Sequence, residues 1–479
     1  MNASKQLLSI VVTGFVAVAV AGQARSGEQK AGGSVAPFVV KGPHIGVNMA
    51  EMKSAEDLRR VPGIVRAWKN PGQYGNWTLR DINGDGEPEC FGNDTNSVAA
   101  TASDGMKQLW RVGGIESTGN DNHLWCEDMD ADGNFEVVIF GNDAIWLLDA
   151  RTGSVKKKIP LGISEGGEKP WYIGHFSDRK KWDIVVLVRG EIRVYTAEGR
   201  VVFTYGKNIL SGNILYAADL DGDGFSEIIH PSDSGNYVLD HDGKLLYNLG
   251  GKHSDGLLIE DFDGDGRLEI CVQTSGCTLD GDILIVDAIT GAIKVREKDD
   301  PAGHLQMFAS GHFLPGDKGR QIFFAPRSDK WLMRAIDCRG KRLIPTAGAP
   351  SLKPESAGQP LYAHNHSYNK QGRRIAEHVW AADADGDGLD EVFISKGKKA
   401  RCPTYVACYD GDGTLLMDVR FEGAKWACLN HYNRYVYRYV WDMNRNGRKE
   451  IEFQTDGWVI LMEVPQELDR PRDVKEVRE

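Results

Sequence analysis

Six nine-residue segments carry oxygen-bearing side chains at a fixed spacing. The first is Asp81-Ile-Asn83-Gly-Asp85-Gly-Glu-Pro-Glu89, and the second is Asp128-Met-Asp130-Ala-Asp132-Gly-Asn-Phe-Glu136. The others run from Asp219 to Glu227, Asp261 to Glu269, Asp383 to Glu391 and Asp442 to Glu450. All six read D-x-[DN]-x-[DN]-G-x-x-E. Positions 1, 3, 5 and 9 offer carboxylate or amide oxygens to one hard cation, and an all-oxygen shell is what Ca²⁺ takes. The expected ligands are Asp81, Asn83, Asp85 and Glu89, then Asp128, Asp130, Asp132 and Glu136. They continue with Asp219, Asp221, Asp223 and Glu227, then Asp261, Asp263, Asp265 and Glu269. Asp383, Asp385, Asp387 and Glu391 follow, and Asp442, Asn444, Asn446 and Glu450 close the series. Several structural Ca²⁺ ions are therefore expected, and glycine at position 6 permits the sharp turn. The alternative is a set of acidic turns without metal. Two degenerate copies, His175–Asp183 and Phe313–Gln321, have lost most of the ligands.

A second group of chemically capable residues does not repeat. His123 and His378 each stand five residues before a loop, in His-Leu-Trp-Cys and His-Val-Trp-Ala. The longest insertion, about residues 345–377, carries Tyr362-Ala-His364-Asn-His366-Ser-Tyr368 and then Arg373-Arg374. The last repeat adds His431-Tyr-Asn-Arg434-Tyr435-Val-Tyr437-Arg438. Histidine exchanges protons near neutral pH, and arginine holds carboxylates. The paired histidines could instead be equivalent packing residues, and the insertion a metal-binding or solvated loop. No G-x-S-x-G, HExxH or phosphate-loop pattern occurs, so serine-hydrolase, zinc-protease and NTPase readings lack support. A glycoside hydrolase would want a carboxylate pair, of which Asp121 and Glu377 are candidate members.

The elements that position these residues are short strands. Before the loops stand Trp-Thr-Leu-Arg, Leu-Tyr-Ala-Ala and Val-Trp-Ala-Ala; after them come Glu-Val-Val-Ile-Phe, Glu-Ile-Ile-His and Glu-Val-Phe-Ile. Such β-branched and aromatic runs read as strands. A third strand follows in most copies, as in Ile145–Asp149 and Ile283–Asp287, then a Gly-containing turn and a fourth. Four strands in a unit of about 45 residues, repeated, make a propeller blade. The fold class is all-β, a propeller of four-stranded antiparallel blades, with eight blades and seven as the alternative. The last copy has only three strands, and the missing one is expected from the N-terminal segment around Phe38 to Val47.

The loops resemble the calcium-binding FG-GAP repeats of integrin-α-type propellers, over about residues 70–465. Copies such as Leu215-Tyr-Ala-Ala-Asp-Leu-Asp-Gly-Asp-Gly224 are also similar to those of secreted rhamnogalacturonan lyases, which have eight blades; ulvan lyases on calcium-bearing propellers have seven. The resemblance implies a calcium loop between the first and second strands of each blade, with ligands bound on the opposite rim. His175 and His312, in or beside degenerate loops, then fall on the wrong rim and count as structural. A lyase of this type cleaves a uronate by β-elimination, with a cation or hydrogen-bond cluster for the carboxylate, a base for the C5 proton and an acid for the leaving oxygen. His123, His364, His366, Tyr362, Arg434 and Tyr435 offer the needed types. Tyr74 and Trp171 are expected to stack on sugar faces, and Asn142, Arg189, His304 and His378 to contact substrate. The implied activity is lysis of an acidic polysaccharide. The alternative is a non-catalytic, calcium-dependent carbohydrate-binding or adhesion propeller.

The chain ends and composition bound the setting. A short basic start, Met1–Lys5, and a 15-residue apolar run, Leu7–Ala21, precede small residues that suit signal cleavage after Ala21 or Ala24. An N-terminal membrane anchor is the alternative. The expected division is a signal peptide over 1–24, a linker over 25–36, the propeller over 37–465 and a charged tail over 466–479. The mature chain is expected to be a monomer with no membrane span, secreted, periplasmic or at the cell surface. A net charge of −11 disfavours nucleic acid as a partner, leaving a polysaccharide substrate or glycan ligand. Eight cysteines in an exported chain favour disulfides, with Cys271–Cys277 and Cys402–Cys408 as local pairs and a structural zinc site as the rival.

Overall fold

The computed structural model describes residues 44–72, 77–116, 124–162, 170–206, 208–210, 215–251, 257–274, 282–298, 305–313, 318–326, 334–341, 378–396, 404–409, 415–424, 427–429, 442–443, 445–455 and 457–464. Their strands form eight sheets, and the chain is an eight-bladed propeller. Blade 1 comprises Trp77–Arg80, Glu89–Asn93, Ser97–Thr101 and Gln108–Gly113, paired antiparallel in that order. Blade 2 begins at Leu124–Glu127, blade 3 at Trp171–Gly174, blade 4 at Tyr216–Ala218 and blade 5 at Leu257–Glu260. Blades 6, 7 and 8 begin at Leu305–Gly311, His378–Ala382 and Ala427–Leu429. Both degenerate copies are blades. Blade 3 has four strands, and three strands of blade 6 lie among the described residues.

Burial follows strand position in the blade. Each first strand contacts the first strand of a neighbouring blade, so the first strands line the middle of the ring. Second strands are sandwiched between adjacent blades. Glu136-Val-Val-Ile-Phe140 and Asp183-Ile-Val-Val-Leu-Val188 are buried at every position. This explains their unbroken β-branched runs, because neither face of such a strand meets water. Fourth strands lie outside, and Val155–Pro160 is exposed at five of its six positions. The core is thus a series of apolar layers between blades.

Fourth strands share a further feature. In seven blades the pairing with the third strand skips one residue at the same place, a β-bulge. The skipped residues are Leu109, Lys156, Val202, Leu246, Lys294, Leu416 and Val65.

The ring closes through the N-terminal region, but by a later segment than Phe38–Val47. Ile64–Lys69 pairs antiparallel with Trp458–Met462 and supplies the outer strand of blade 8. His44–Asn48 instead pairs in parallel with Leu415–Glu422, adding a fifth strand to blade 7, where Ile45 and Val47 are buried. The closing strand must reach blade 1 directly, and Ile64–Lys69 is the strand just ahead of it. Between the two strands lies the short helix Ala55–Arg59, started by a Ser54–Asp57 capping box and anchored by buried Leu58. Among the described residues no helix is long and apolar enough to cross a membrane. Trp68 completes the junction: it is fully buried, and its indole N–H donates to the Pro88 carbonyl of blade 1 at 3.0 Å.

Cys90, Cys126 and Cys271 are buried free thiols in second or first strands, so Cys271 is not bridged to Cys277. Cys402, of the other expected pair, lies outside the described residues.

Trp68→Ala removes the packing and the hydrogen bond that join blade 8 to blade 1. It should cost about 3–5 kcal/mol in denaturant unfolding. A loss below about 1 kcal/mol would show that this junction does not hold the ring shut.

Candidate functional site

All eight blades turn from their first to their second strand through one side-chain hydrogen bond. In blade 1, Glu89 Oε2 accepts from the backbone N–H of Ile82, two residues into the connection, at 3.2 Å. Glu136 accepts from Met129 at 3.0 Å, Glu227 from Leu220 at 2.7 Å and Glu269 from Phe262 at 2.8 Å. Glu391 accepts from Ala384 at 2.8 Å and Glu450 from Met443 at 3.1 Å. In the degenerate blades Asp183 accepts from Phe176 at 3.1 Å, and Gln321 from Phe313 at 2.7 Å. The donor residue is always apolar and in seven blades fully buried, so an uncapped N–H there would be left without water.

The position-1 aspartates organise the loop itself. Asp81 accepts from Gly84 through Oδ1 and from Gly86 through Oδ2, both at 2.7 Å, and Asp219, Asp261 and Asp383 repeat the pair. Positions 4 and 6 both take positive φ, +79° and +85° at Gly84 and Gly86, which suits glycine. The loops also bond to one another. Trp182 N–H donates to Met129 O, Ser226 to His175 O, Arg320 to Phe262 O, Asp390 to His312 O and Lys449 to Asp383 O, each a contact with the preceding blade. His175 is therefore tied into the loop rim, as expected; its Nδ1 also lies 2.8 Å from Lys181 O.

The remaining oxygens fit a cation. One oxygen each of Asp128, Asp130 and Glu136 lie within 4.8 Å of one another, as do those of Asp219, Asp221 and Glu227. Asp261, Asp263 and Asp265 form a like group, and so do Asp383, Asp385 and Glu391. In blade 8, Glu450 Oε1 is buried without a hydrogen-bond partner among the described residues. Asn444 lies outside them. The donor set is all oxygen, which suits a hard divalent ion. Burial, joined by the charges of Asp221, Asp219 and Asp240, pushes the Glu227 carboxyl up to about 8. Burial, with Asp385 and the other loop aspartates, pushes Glu391 up to about 9. At neutral pH such carboxyls stay protonated unless a positive charge lies nearby.

Two loops already contain one. Lys156 Nζ stands 2.5 Å from Glu136 Oε1, 3.7 Å from Asp132 and 3.8 Å from Asp130. Lys294 Nζ stands 2.5 Å from Glu269 Oε1, 2.9 Å from Asp263 and 3.3 Å from Asp265. Both lysines are bulge residues of the fourth strand. Sequence reading missed them because it compared loops with loops. The signal was a lysine three residues after Thr-Gly in Arg151-Thr-Gly-Ser-Val-Lys156 and Ile289-Thr-Gly-Ala-Ile-Lys294.

The expected catalytic residues His123, Tyr362, His364, His366, Arg434 and Tyr435 lie outside the described residues, as do Tyr74 and His304. His378 starts the first strand of blade 7, paired with Ser395. Asn142 and Arg189 occupy the hairpins between second and third strands of adjacent blades. Half-buried Asn142 takes hold of the blade 1–2 connection, donating its backbone N–H to Glu116 O at 2.8 Å and its amide to Glu116 Oε2 at 3.4 Å. Exposed Arg189 takes φ +53° at its turn, and its guanidinium donates to Gly162 O. Trp171 departs from expectation. It is fully buried and packs on Phe140 at 6.0 Å, because it begins a first strand whose face meets blade 2; a sugar cannot reach it there.

No known family model matches the sequence. Its class is that of the eight-bladed propellers, and its similarities lie with particular members. The rhamnogalacturonan exolyase YesX of Bacillus subtilis is 25% identical over 264 residues, 42% of this chain and 41% of that protein. The match thus spans less than half the length of that curated relative. The solved structure of exotype rhamnogalacturonan lyase YesX superposes with a TM-score of 0.59 at 16% identity, covering 82% of this chain and 72% of the other. Rhamnogalacturonan lyase YesW gives 0.56 with the same identity and coverage. The V. cholerae biofilm matrix protein Bap1 gives 0.52 at 12% identity, covering 90% of this chain and 92% of that one. These likenesses show the fold.

The raised glutamates carry a pH signature. A carboxyl whose folded value exceeds its unfolded one binds more protons when folded, so stability falls as pH rises between the two. In chelator, the melting temperature should therefore drop from about pH 5 to about pH 8. Glu227→Gln keeps the cap, as Gln321 does, and should reduce that drop. Glu227→Ala leaves Leu220 N–H buried and uncapped, and should cost about 1–3 kcal/mol at either pH. Identical slopes for wild type and Glu227→Gln would show that Glu227 does not titrate in this range.

Proposed function

We propose that the chain is a polysaccharide lyase that cleaves a uronate-containing backbone of the rhamnogalacturonan type. The observation that carries this reading is the 264-residue similarity to a rhamnogalacturonan exolyase, on a chain whose propeller also superposes on two rhamnogalacturonan lyases. In the reaction a base removes the C5 proton beside the carboxylate. The C–H electron pair becomes the C4–C5 double bond, the C4–O bond breaks, and the leaving oxygen takes a proton. The protein must neutralise the carboxylate in the transition state and supply the base and the acid. Arg434 is assigned to the carboxylate. The base and acid are assigned to the group His123, His364, His366, Tyr362 and Tyr435. Substrate contacts are assigned to Tyr74, Asn142, Arg189, His304 and His378.

Calcium is the cation proposed for the acidic loops, where it neutralises carboxylates packed close together and stiffens the rim away from this chemistry. The apolar run Leu7–Ala21 supports export, where both calcium and polymeric substrate are met. A second reading, a non-catalytic matrix or adhesion propeller, is favoured by the nearly full-length overlap with the biofilm matrix protein.

Incubation with rhamnogalacturonan, and with other uronate polymers in parallel, should raise the ultraviolet absorbance of the unsaturated uronate product. His123→Ala and His366→Ala test the base assignment; loss of the base should lower kcat by about 10²–10⁴-fold. Glycan binding without any rise in absorbance on these polymers would sink the lyase reading in favour of the second.

A further inference from the structure

We propose that in blades 2 and 5 a lysine ammonium occupies the cation position permanently, so that these two loops hold no calcium while the other intact loops do. The inference rests on the calcium reading above and refines which loops it applies to. Three observations carry it. First, each ammonium lies among three carboxylates of its loop, at 2.5 to 3.8 Å for Lys156 and 2.5 to 3.3 Å for Lys294. An ammonium has three donors and no acceptor: Lys294 hydrogen-bonds all three carboxylates, and Lys156 hydrogen-bonds Glu136 and forms ion pairs with Asp130 and Asp132. Second, the two lysines share one position in the fold, the bulge residue of the fourth strand, and reach the loop of their own blade. The geometry recurs at equivalent positions of two blades that are not adjacent in the ring. Third, the other four intact copies carry apolar residues there, Leu109, Leu246, Leu416 and Val65. Leu246 and Leu416 pack against the inter-blade core.

Ammonium and calcium exclude each other. Calcium bound by these oxygens would sit about 2.3–2.6 Å from them. Glu136 Oε1 and Glu269 Oε1 each already have an ammonium nitrogen at 2.5 Å. In blade 5 the loop is neutralised further, since Arg267 bonds Asp265 at 3.0 Å and Asp287 at 3.1 Å. Two of the eight blades thus carry a covalently tethered cation, which cannot be removed by dilution or chelation.

Calcium stoichiometry tests the assignment. After exhaustive chelation, equilibrium dialysis against calcium should give four equivalents for the wild type, one for each intact loop without lysine. Lys156→Met and Lys294→Met should each add one equivalent, and the double variant two. Leu and Val already stand at this bulge in other blades, so the apolar replacement is compatible with the fold. Leu246→Lys should conversely remove one equivalent from the wild type. Hydrogen exchange on the unaltered protein gives an independent reading: chelator should speed exchange in residues 219–227 and leave residues 128–136 and 261–269 unchanged. Calcium uptake by the wild type with no gain in either methionine variant overturns the lysine assignment alone. No uptake by any form overturns the calcium reading itself.

Discussion

A single hydrogen bond recurs at the foot of every blade: a side-chain oxygen at the start of the second strand accepts the N–H of an apolar residue early in the preceding connection. It allows two requirements to be met at once. The apolar side chain, such as Met129, Phe262 or Ala384, is pressed into the layer between blades. Its backbone amide, carried into the same dry place, would otherwise cost the desolvation of an unpaired donor. With the cap in place, the connection turns at a fixed point, and backbone bonds from loop to loop run from blade to blade along the rim. The order of the ring therefore depends on eight copies of one contact more than on any single large core.

The cap and the cation site share a residue but answer to different demands. Oε2 of Glu136 or Glu269 holds the amide, and Oε1 faces the acidic cluster. Where the cluster is lost the cap survives, served by Asp183 or Gln321, which shows that the backbone demand is the stricter one. Where the cluster is kept, its repulsion must be offset. In blades 2 and 5 lysine lies in the cluster; in blades 4 and 7 the buried glutamate is left with a strongly raised carboxyl. The repeat has conserved its turn while varying the source of its positive charge.

Much of this was legible in the sequence, and the failures have physical causes. The D-x-[DN]-x-[DN]-G-x-x-E loops and their flanking strands sufficed for eight blades, including the two degenerate ones, because the turn leaves residues that only a loop of this shape requires. The closing strand was misplaced. Phe38–Val47 and Ile64–Lys69 are both plausible strands, and only pairing with Trp458–Met462 distinguishes them. Trp171 looked like a ligand platform because an aromatic at a strand start is the same letter whether it faces solvent or the next blade. The lysines at the bulge were invisible for another reason. Their meaning lies in a contact across three strands of one blade, and no local pattern around them resembles a loop ligand.

The opposite rim shows why the repeat is silent about chemistry. Residues alike in every blade are alike because each blade has the same turn to make and the same neighbours to pack against. A ligand site cannot be built from eight identical contributions unless the ligand shares that symmetry, and a polysaccharide chain has direction and unlike sugars. On the proposed reading, positions that recognise such a chain must therefore differ from blade to blade. The hairpins on that rim already differ in side chain while keeping one contact: Asn142 and Arg189 occupy equivalent hairpins in adjacent blades, and each holds the connection from the preceding blade, Asn142 through Glu116 and Arg189, from a left-handed turn, through Gly162 O. The acidic loops supply a stiff frame by being the same. On the proposed reading, the opposite face is free to become specific because none of that frame's residues are needed there.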